Sequence, residues 1–337
     1  MNKTLVFILF YLLPLPVVVI SLFVGSSEQA ALSEYIPIVL KKLSGAPLHQ
    51  AELQYWQTAN NILWNIRLPR VLLTFIIGAA LGVSGTVLQG ILKNPLVDSY
   101  ILGISSASAF GASLSLAFGF LNTNVTAFAF AVLSVLFTFL ISNNKGVHSI
   151  VSVVLSGMIV SGIFTALLSA IQYIVNPFKL SAIVQWTLGN LHAASWKELN
   201  TALFPIGIAM LVVFALRERM NLLALGDDTA KAVGVNPLVD KVLLFIAVTV
   251  MTAASVSAVG IISMYGLFLP HIVRMVAGAN HNITIPGSIL FGGTFLLIID
   301  NVSRTLFEFE VPIGIFTMIL GGVFFIYLMK KNKLNWF

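Results

Sequence analysis

Long apolar stretches recur along this 337-residue chain, and short polar breaks separate them. A helix needs about 20 residues to cross the hydrocarbon core of a bilayer. Ten stretches approach or reach that length: residues 5–24, 69–92, 99–119, 125–142, 148–172, 199–216, 239–259, 262–277, 284–300 and 312–329. The pattern predicts an all-α, polytopic membrane protein with about ten transmembrane helices. We expect one integral-membrane domain over residues 1–337, with no soluble appendage.

Composition strengthens this prediction and excludes several classes of protein. Hydrophobic residues make up 58% of the chain and charged residues only 9%, against about 25% charged in an ordinary soluble domain. The net charge of +6 is spread along the chain without a long basic run, which argues against nucleic acid as a partner. The chain has no cysteine, so disulfides and thiolate metal sites are excluded.

The polar segments predict how the chain is oriented. The longest polar segments are residues 25–66, 173–198 and 217–238. Cytoplasmic loops carry an excess of lysine and arginine, and this bias places both termini in the cytoplasm. Segments 25–66 and 173–198 are then external. The first stretch is longer than the apolar part of a signal peptide, so we interpret it as a retained helix.

Several kinds of chemistry are missing from the sequence. Gradient-driven transporters need ionisable groups at mid-membrane, and no acidic residue lies near the centre of a predicted span. No phosphate-binding loop of the G-x-x-x-x-G-K-[ST] type occurs, so any ATPase must be a separate chain. No catalytic constellation and no metal-ligand spacing are present, and we interpret His271 as a hydrogen-bonded structural residue. A secondary transporter or channel remains the alternative.

Residues 222–235 are the strongest candidate for a partner-binding element. Asp227 is placed to cap a short helix, Asp228 lies in its first turn, and Gly234 suits a left-handed position at its end. Apolar residues flank these charges, which favours a docking surface for an ATPase. The alternative is a helix that lies on the bilayer surface. Within the spans, Gly78, Gly82 and Gly85 form a row of small residues that predicts close helix packing inside the chain.

Ordered motifs from Arg67 to Phe325 resemble those of a known family. They are Arg67-Leu68-Pro69-Arg70, Gly82-Val83-Ser84-Gly85, Gln89-Gly90, Asn94-Pro95-Leu96, Leu102-Gly103-Ile104-Ser105-Ser106, Trp186 to Leu191, the 222–235 segment, Gly266-Leu267 with Pro270 to Arg274, Asp300 to Arg304, and Pro312-Ile313-Gly314. In this order they are similar to the permeases of ABC importers for cobalamin, haem and iron-siderophores, the vitamin B12 permease type.

The resemblance implies a homodimer with the substrate path at its axis, two cytoplasmic ATPase subunits and an external substrate-binding protein. ATP and Mg²⁺ belong to the ATPase subunits, so no cofactor is expected in this chain. The residues implied in docking the binding protein are Arg67, Arg70 and Arg304, for which lipid-headgroup anchoring is the alternative. The implied cytoplasmic gate is Asn94 and Leu96. The implied ATPase-coupling residues are Leu225, Gly226, Asp227, Asp228, Lys231, Val233 and Gly234.

The resemblance implies a location in the inner (plasma) membrane of a bacterium, and it leaves the cargo open. Asn190, Met264-Tyr265 and Gly321-Gly322-Val323 depart from the usual family residues. These departures do not affect the expected fold, and they are consistent with a pathway shaped for a different cargo. The cargo is therefore a metal chelate (iron-siderophore, haem or cobalamin) or, in one branch of the family, molybdate or tungstate.

Overall fold

The computed structural model describes residues 4, 8–25, 32–119, 121–142 and 150–330. The chain termini, the start of the first predicted span and part of the 25–66 segment lie outside these residues. The α-helices of the described residues are α1 (Pro14–Phe23), α2 (Leu32–Leu43), α3 (Gln50–Asn61), α4 (Leu68–Ile91), α5 (Ile104–Phe118), α6 (Thr123–Ser142), α7 (Ile150–Ile174), α8 (Pro177–Thr187), α9 (Trp196–Leu225), α10 (Asp227–Ala232), α11 (Pro237–Val259), α12 (Tyr265–Ala277), α13 (His281–Thr305) and α14 (Ile313–Lys330).

The helices confirm the predicted all-α membrane architecture. Among the described residues, seven helical segments are long and apolar enough to cross a membrane, and three shorter apolar helices, α1, α5 and α12, complete the predicted pattern. Together these ten segments coincide with the ten apolar stretches of the sequence. The position of each apolar stretch therefore predicted where an apolar helix forms.

Segments 25–66 and 173–198, which were predicted to be external, contain helices that the apolar pattern did not predict. Helices α2 and α3 occupy most of the described part of segment 25–66, and α8 lies in segment 173–198. Lys41 at the end of α2 donates a hydrogen bond to Glu52 at the start of α3. That hydrogen bond lowers the pKa of the Glu52 carboxyl below its ordinary value. This ion pair and the stacked rings of Tyr35 and Trp56 join the two short helices into one hairpin.

Helix α4 is the centre of the larger helix group. Most of its residues are buried, and it packs against α9, α11, α12 and α13. A Cβ atom on Gly85 would lie 1.8 Å from the carbonyl oxygen of Gly266 in α12, and one on Gly78 would lie 2.5 Å from that of Gly292 in α13. The predicted row of small residues thus packs inside the chain, because only glycine permits these backbones to approach so closely.

Helices α5, α6 and α7 form a second group, which packs against the first mainly through α11. Here Gly111 of α5 plays the same role, since its Cβ would lie 2.5 Å from the carbonyl oxygen of Thr126 in α6. Three phenylalanine rings, Phe110, Phe130 and Phe164, fill the space between the three helices at centroid distances of 5.1 to 6.1 Å. Each helix of this group contributes one ring.

The 24 residues of α4 span about 36 Å at 1.5 Å per residue, so its ends lie on opposite faces of the bundle. The arginines of the Arg67-to-Arg70 motif lie at its beginning. Residues 92–98, which we call the gate loop, follow its end. The fold therefore separates the candidate functional residues into two sets on two faces.

Replacing Gly85 by alanine tests the close packing of α4. We expect Gly85→Ala to lower the free energy of unfolding by more than about 2 kcal/mol, because overpacking usually costs about 1–3 kcal/mol and the obstacle here is backbone. Gly162→Ala in α7 is the matched control, since no heavy atom lies within 4 Å of its Cβ. Thermal unfolding of the two variants in detergent measures the difference. Equal melting temperatures would contradict this description of the packing.

Candidate functional site

A buried arginine cluster lies where α4 begins and α13 ends. In Arg70, Nη2 lies 2.9 Å from Asp300 Oδ1, and Nη1 lies 2.8 Å from Glu310 Oε2. Arg304 Nε lies 3.1 Å from Asp300 Oδ2. Asp300 therefore lies between two guanidinium groups, which compensate the cost of burying its charge.

Arg67 and Arg304 complete the cluster through backbone carbonyls. Arg67 Nη1 donates to the oxygens of Leu22 and Phe23, both at 3.1 Å. Arg304 Nη1 donates to the oxygen of Val24 at 3.0 Å. These carbonyls lie at the end of α1, where a helix leaves its last carbonyl groups without intrahelical partners. The cluster therefore binds α1 to α4 and α13.

The structure brings together the three arginines that were predicted to dock the binding protein. Their exposed fractions are 4% for Arg67, 9% for Arg70 and 4% for Arg304, and each guanidinium group has partners within the chain. In this state the cluster acts as a structural junction. Contact with a lipid headgroup and contact with a binding protein would both need these guanidinium groups to become accessible, so docking stays a prediction with lipid anchoring as its alternative.

Sequence reasoning missed the exposed loop beside the cluster. Phe307 and Phe309 are 52% and 68% exposed, and their rings stack with centroids 5.6 Å apart. Glu308 between them is also exposed. Large exposed aromatic side chains on a loop are typical of binding surfaces. The alternation of Phe and Glu from residue 307 to residue 310 was the available signal.

The gate loop on the opposite face carries Asn94 and Leu96, the predicted gate residues. Asn94 Oδ1 accepts a hydrogen bond from the backbone N–H of Leu96 at 3.0 Å, which tightens the turn around Pro95. The Leu96 side chain is 60% exposed and so projects away from the subunit. Next in the chain, burial raises the pKa of the Asp98 carboxyl to about 6. It remains mainly ionised at neutral pH, and it accepts a hydrogen bond from Ser99 Oγ at 3.1 Å.

Side chains of α4 and α12 hold the gate loop through its carbonyl groups. His271 Nε2 donates to the carbonyl oxygen of Pro95 at 2.9 Å, and Gln89 Nε2 donates to that of Val97 at 3.1 Å. Arg274 Nη2 contacts both supports, His271 Nδ1 at 3.0 Å and Gln89 Oε1 at 2.5 Å. His271 is therefore hydrogen-bonded and neutral, with its proton on Nε2. This agrees with its interpretation as a structural residue.

The structure corrects the boundaries of the predicted 222–235 helix. Residues Leu222 to Leu225 belong to α9, and the separate helix α10 covers only Asp227–Ala232. Gly226, with a φ of 124°, occupies the position before α10, so Asp227 is its first residue and not its cap. Instead, Asp227 Oδ1 pairs with Lys241 Nζ at 2.7 Å. Gly234 has a φ of 84°, which confirms its left-handed position.

The other coupling residues lie around α10 with different exposure. Leu225 and Val233, which flank the helix, are 69% and 58% exposed. Asp228 and Lys231 lie on its solvent side, where their charged atoms are 3.6 Å apart. The segment thus presents apolar side chains on both sides of a charged turn. Among the described residues no group of three or more histidine, aspartate or glutamate side chains could hold a metal ion.

The arginine cluster can be tested by removing its central carboxylate. We expect Asp300→Ala to cost about 3–5 kcal/mol of stability, because it leaves two buried guanidinium groups without their shared partner. Asp228→Ala removes an exposed carboxylate whose ion pair contributes little, so it is the control. Unfolding in detergent compares the two. If Asp300→Ala unfolds like the control, the cluster does not stabilise this face.

Comparisons with known proteins agree with the motifs. Residues 12–331 match the model of the FecCD transport family. The chain is 38% identical to the probable iron chelatin transport system permease protein of Helicobacter pylori strain J99, over 94% of this chain and 95% of that protein. It is also 38% identical to the molybdate import system permease protein MolB of Haemophilus influenzae, over 81% and 83% of the two chains.

A solved structure shows the same architecture. It belongs to a transporter assigned to the metal-chelate ABC type, in an inward-facing conformation, and it is 34% identical to this chain. The TM-score is 0.82, and the match covers 98% of this chain and 100% of that one. The fold, the order of the motifs and the extent of the match lead to one conclusion: the chain belongs to the FecCD transport family.

Proposed function

We propose that this chain, a permease of the FecCD transport family, is the membrane-spanning subunit of a binding-protein-dependent ABC importer. The observation that carries the proposal is the pair of candidate contact surfaces at the two ends of α4. One surface suits a cytoplasmic ATPase, and the other suits an external substrate-binding protein. The proposed orientation, with α10 in the cytoplasm of a bacterial cell, follows from the lysine and arginine bias of the loops.

The α10 segment supports the ATPase contact. Helix α10 is fixed to the bundle, because Ala230 is fully buried and Asp227 pairs with Lys241. Leu225 and Val233 nevertheless remain exposed. Apolar side chains held outside the membrane on a rigid element favour a protein partner. Two such partners are expected, one for each permease of a homodimer.

The opposite face supports the contact with a binding protein. The proposed docking residues remain Arg67, Arg70 and Arg304, and the exposed Phe307–Phe309 loop extends the surface. An acidic side chain of the binding protein would reach Arg70 by displacing Glu310, which is the more exposed of its two partners. Exchange of one carboxylate for another would couple docking to the end of α13.

The homodimer and its central path are proposed from the exposed faces of α7 and α14, which are the least buried candidate spans. Hydroxyl groups accompany the apolar residues on α7: Ser161 Oγ lies 2.7 Å from Ser106 Oγ, and Thr165 Oγ1 donates to Ser106 Oγ at 3.2 Å. Hydroxyls on an exposed face suit a polar path better than lipid.

The proposed cargo is a metal chelate or an oxyanion of molybdenum or tungsten. Two relatives with equal identity to this chain carry different cargoes in their names, an iron chelate and molybdate. Overall similarity therefore does not choose between them. A gradient-driven transporter is less well supported, because the acidic residues of the described helices, such as Asp240 and Asp300, lie near helix ends.

The decisive experiment is reconstitution with the partner ATPase and the binding protein in proteoliposomes. We expect ATP hydrolysis to rise when the binding protein is loaded, and cargo uptake to require ATP. Testing molybdate, tungstate, haem, ferric siderophores and cobalamin identifies the cargo. Uptake that survives ATP depletion but collapses with an ionophore would contradict the proposal.

The ATPase contact predicts the effect of adding charge beside α10. We expect Leu225→Asp with Val233→Asp to lower recovery of the ATPase with the purified permease by at least about tenfold, because truncating an interface hot spot costs about 2 kcal/mol or more. Folding should be unchanged, since both side chains are exposed.

Leu43→Asp is the matched control for that double variant. Leu43 is 79% exposed, and it lies in α2 on the opposite face. The control should retain the ATPase in full. Equal loss in both variants, or no loss in either, would remove α10 from this role.

A further inference from the structure

A cavity of about 610 Å³ opens on the face that carries α10. It lies among the end of α4, the end of α6, the start of α7 and the start of α11. Its lining includes Lys93, Lys231 and Lys241, and we call it the lysine pocket. Two of its lining residues, Asp227 and Lys231, were predicted from the sequence to contact the ATPase, and the other lining residues had no predicted role.

The rim of the lysine pocket is cationic. Three lysines and one carboxylate, Asp227, are the charged residues of its lining, so the lining has a net charge of +2. Lys241 Nζ contacts both oxygens of Asp227 at 2.7 Å. Lys93 makes none of the ion pairs found among the described residues, and its side chain is exposed. Lys231 Nζ lies 3.6 Å from Asp228, which is outside the lining, so the positive charge left for an anion is mainly that of Lys93.

The walls of the pocket are apolar and belong to membrane-spanning helices. They include Phe139 of α6, Val153 of α7, and Val242 and Phe245 of α11. Val242 is 47% exposed, and Leu238, one turn earlier on α11, is 72% exposed. A cationic rim above an apolar wall is complementary to a molecule with an anionic head and a hydrocarbon tail.

We propose that the lysine pocket binds an anionic phospholipid. Lys93, Lys231 and Lys241 would contact the phosphate, and an acyl chain would lie against Phe139, Val242 and Phe245. Basic pockets between spanning helices are suited to anionic headgroups. This site goes beyond the proposed import function, because it depends on neither the cargo nor the partner chains.

Two other occupants fit the pocket less well. A soluble phosphate would use the lysines but has no need of apolar walls on spanning helices. An ATPase would use the exposed apolar side chains of Leu225 and Val233, and neither lines the pocket, which shares only Asp227 and Lys231 with the predicted coupling residues. The combination of charge and apolar surface therefore favours a lipid.

Because Lys93 lies in the gate loop, a lipid bound to it would also affect how that loop is held. Lys93 is the second residue after α4, and its φ of 45° is one of two positive values among the non-glycine residues that the structure describes. It begins the turn of the gate loop, while Lys231 belongs to α10 and Lys241 to α11. One headgroup that contacts all three would connect the gate loop with the coupling segment.

Native mass spectrometry of the detergent-purified permease tests this proposal. The chain is titrated with phosphatidylglycerol and, separately, with phosphatidylcholine of the same acyl chains. We expect selective retention of phosphatidylglycerol. The variant Lys93→Gln, Lys231→Gln, Lys241→Gln should bind it about 125-fold more weakly, because each of the three removed positive charges next to an anionic headgroup contributes about fivefold to affinity.

The control variant removes three lysines from the opposite face, Lys41→Gln, Lys42→Gln and Lys197→Gln, and should retain phosphatidylglycerol like the parent. The thermal unfolding of each variant is measured, so that a loss of lipid binding is counted only for variants that are folded. Equal retention of both lipids, or undiminished binding by the lysine-pocket variant, overturns the proposal. Full displacement of the lipid by glycerol 3-phosphate would instead assign the pocket to a soluble phosphate, which also overturns it.

Discussion

The approach of α4 to α12 and α13 is the contact on which both functional faces depend. Gly78 meets Gly292 at the middle of an antiparallel helix pair. Eight residues before Gly78 is Arg70, and eight residues after Gly292 is Asp300. Two helical turns along each helix in opposite directions bring this buried ion pair to 2.9 Å. The close contact of Gly78 with Gly292 therefore fixes the alignment of α4 and α13 that also brings Arg70 to Asp300.

The other end of α4 depends on the same packing. Gly85 contacts the backbone of α12 at Gly266, and Gln89 lies one turn further along α4. This places the Gln89 amide within 3.2 Å of the Leu267 carbonyl oxygen and 3.1 Å of the Val97 carbonyl oxygen. A wider spacing between α4 and α12 would put these groups out of hydrogen-bonding range. The position of the gate loop thus depends on the contact of Gly85 with Gly266, which lies one turn of α4 before Gln89.

The spanning helices could be predicted from the sequence because hydrocarbon imposes one requirement on every residue of a span. Helices α2, α3 and α8, which lie outside the predicted spans, could not be predicted in this way. Helix α2 contains Pro37 and two lysines, and its stability comes from its pairing with α3. The end of α9 was also misplaced, because the apolar run from Leu222 to Leu225 suits either the preceding helix or a separate one. Only the backbone conformation of Gly226 decides between these possibilities.

The candidate sites show a similar division. The sequence indicated which face carries Arg67, Arg70 and Arg304, since loop charge and motif order agree. It did not show that they are buried, because their partners are distant in the chain: 230 residues separate Arg70 from Asp300. His271 contacts Pro95 across 176 residues. The lysine pocket likewise joins residues of five helices, α4, α6, α7, α10 and α11, and no local pattern in the sequence marks it.

We propose that the coupling segment and the arginine cluster lie on opposite sides of the membrane. The chain has no cysteine, so single cysteines at exposed positions report the side directly. Val233→Cys and Phe309→Cys would be treated with a membrane-impermeant maleimide in sealed right-side-out and inside-out vesicles, with the cysteine-free parent as the blank. The account predicts labelling of Val233→Cys only in inside-out vesicles and of Phe309→Cys only in right-side-out vesicles. Labelling of both positions from the same side would contradict it.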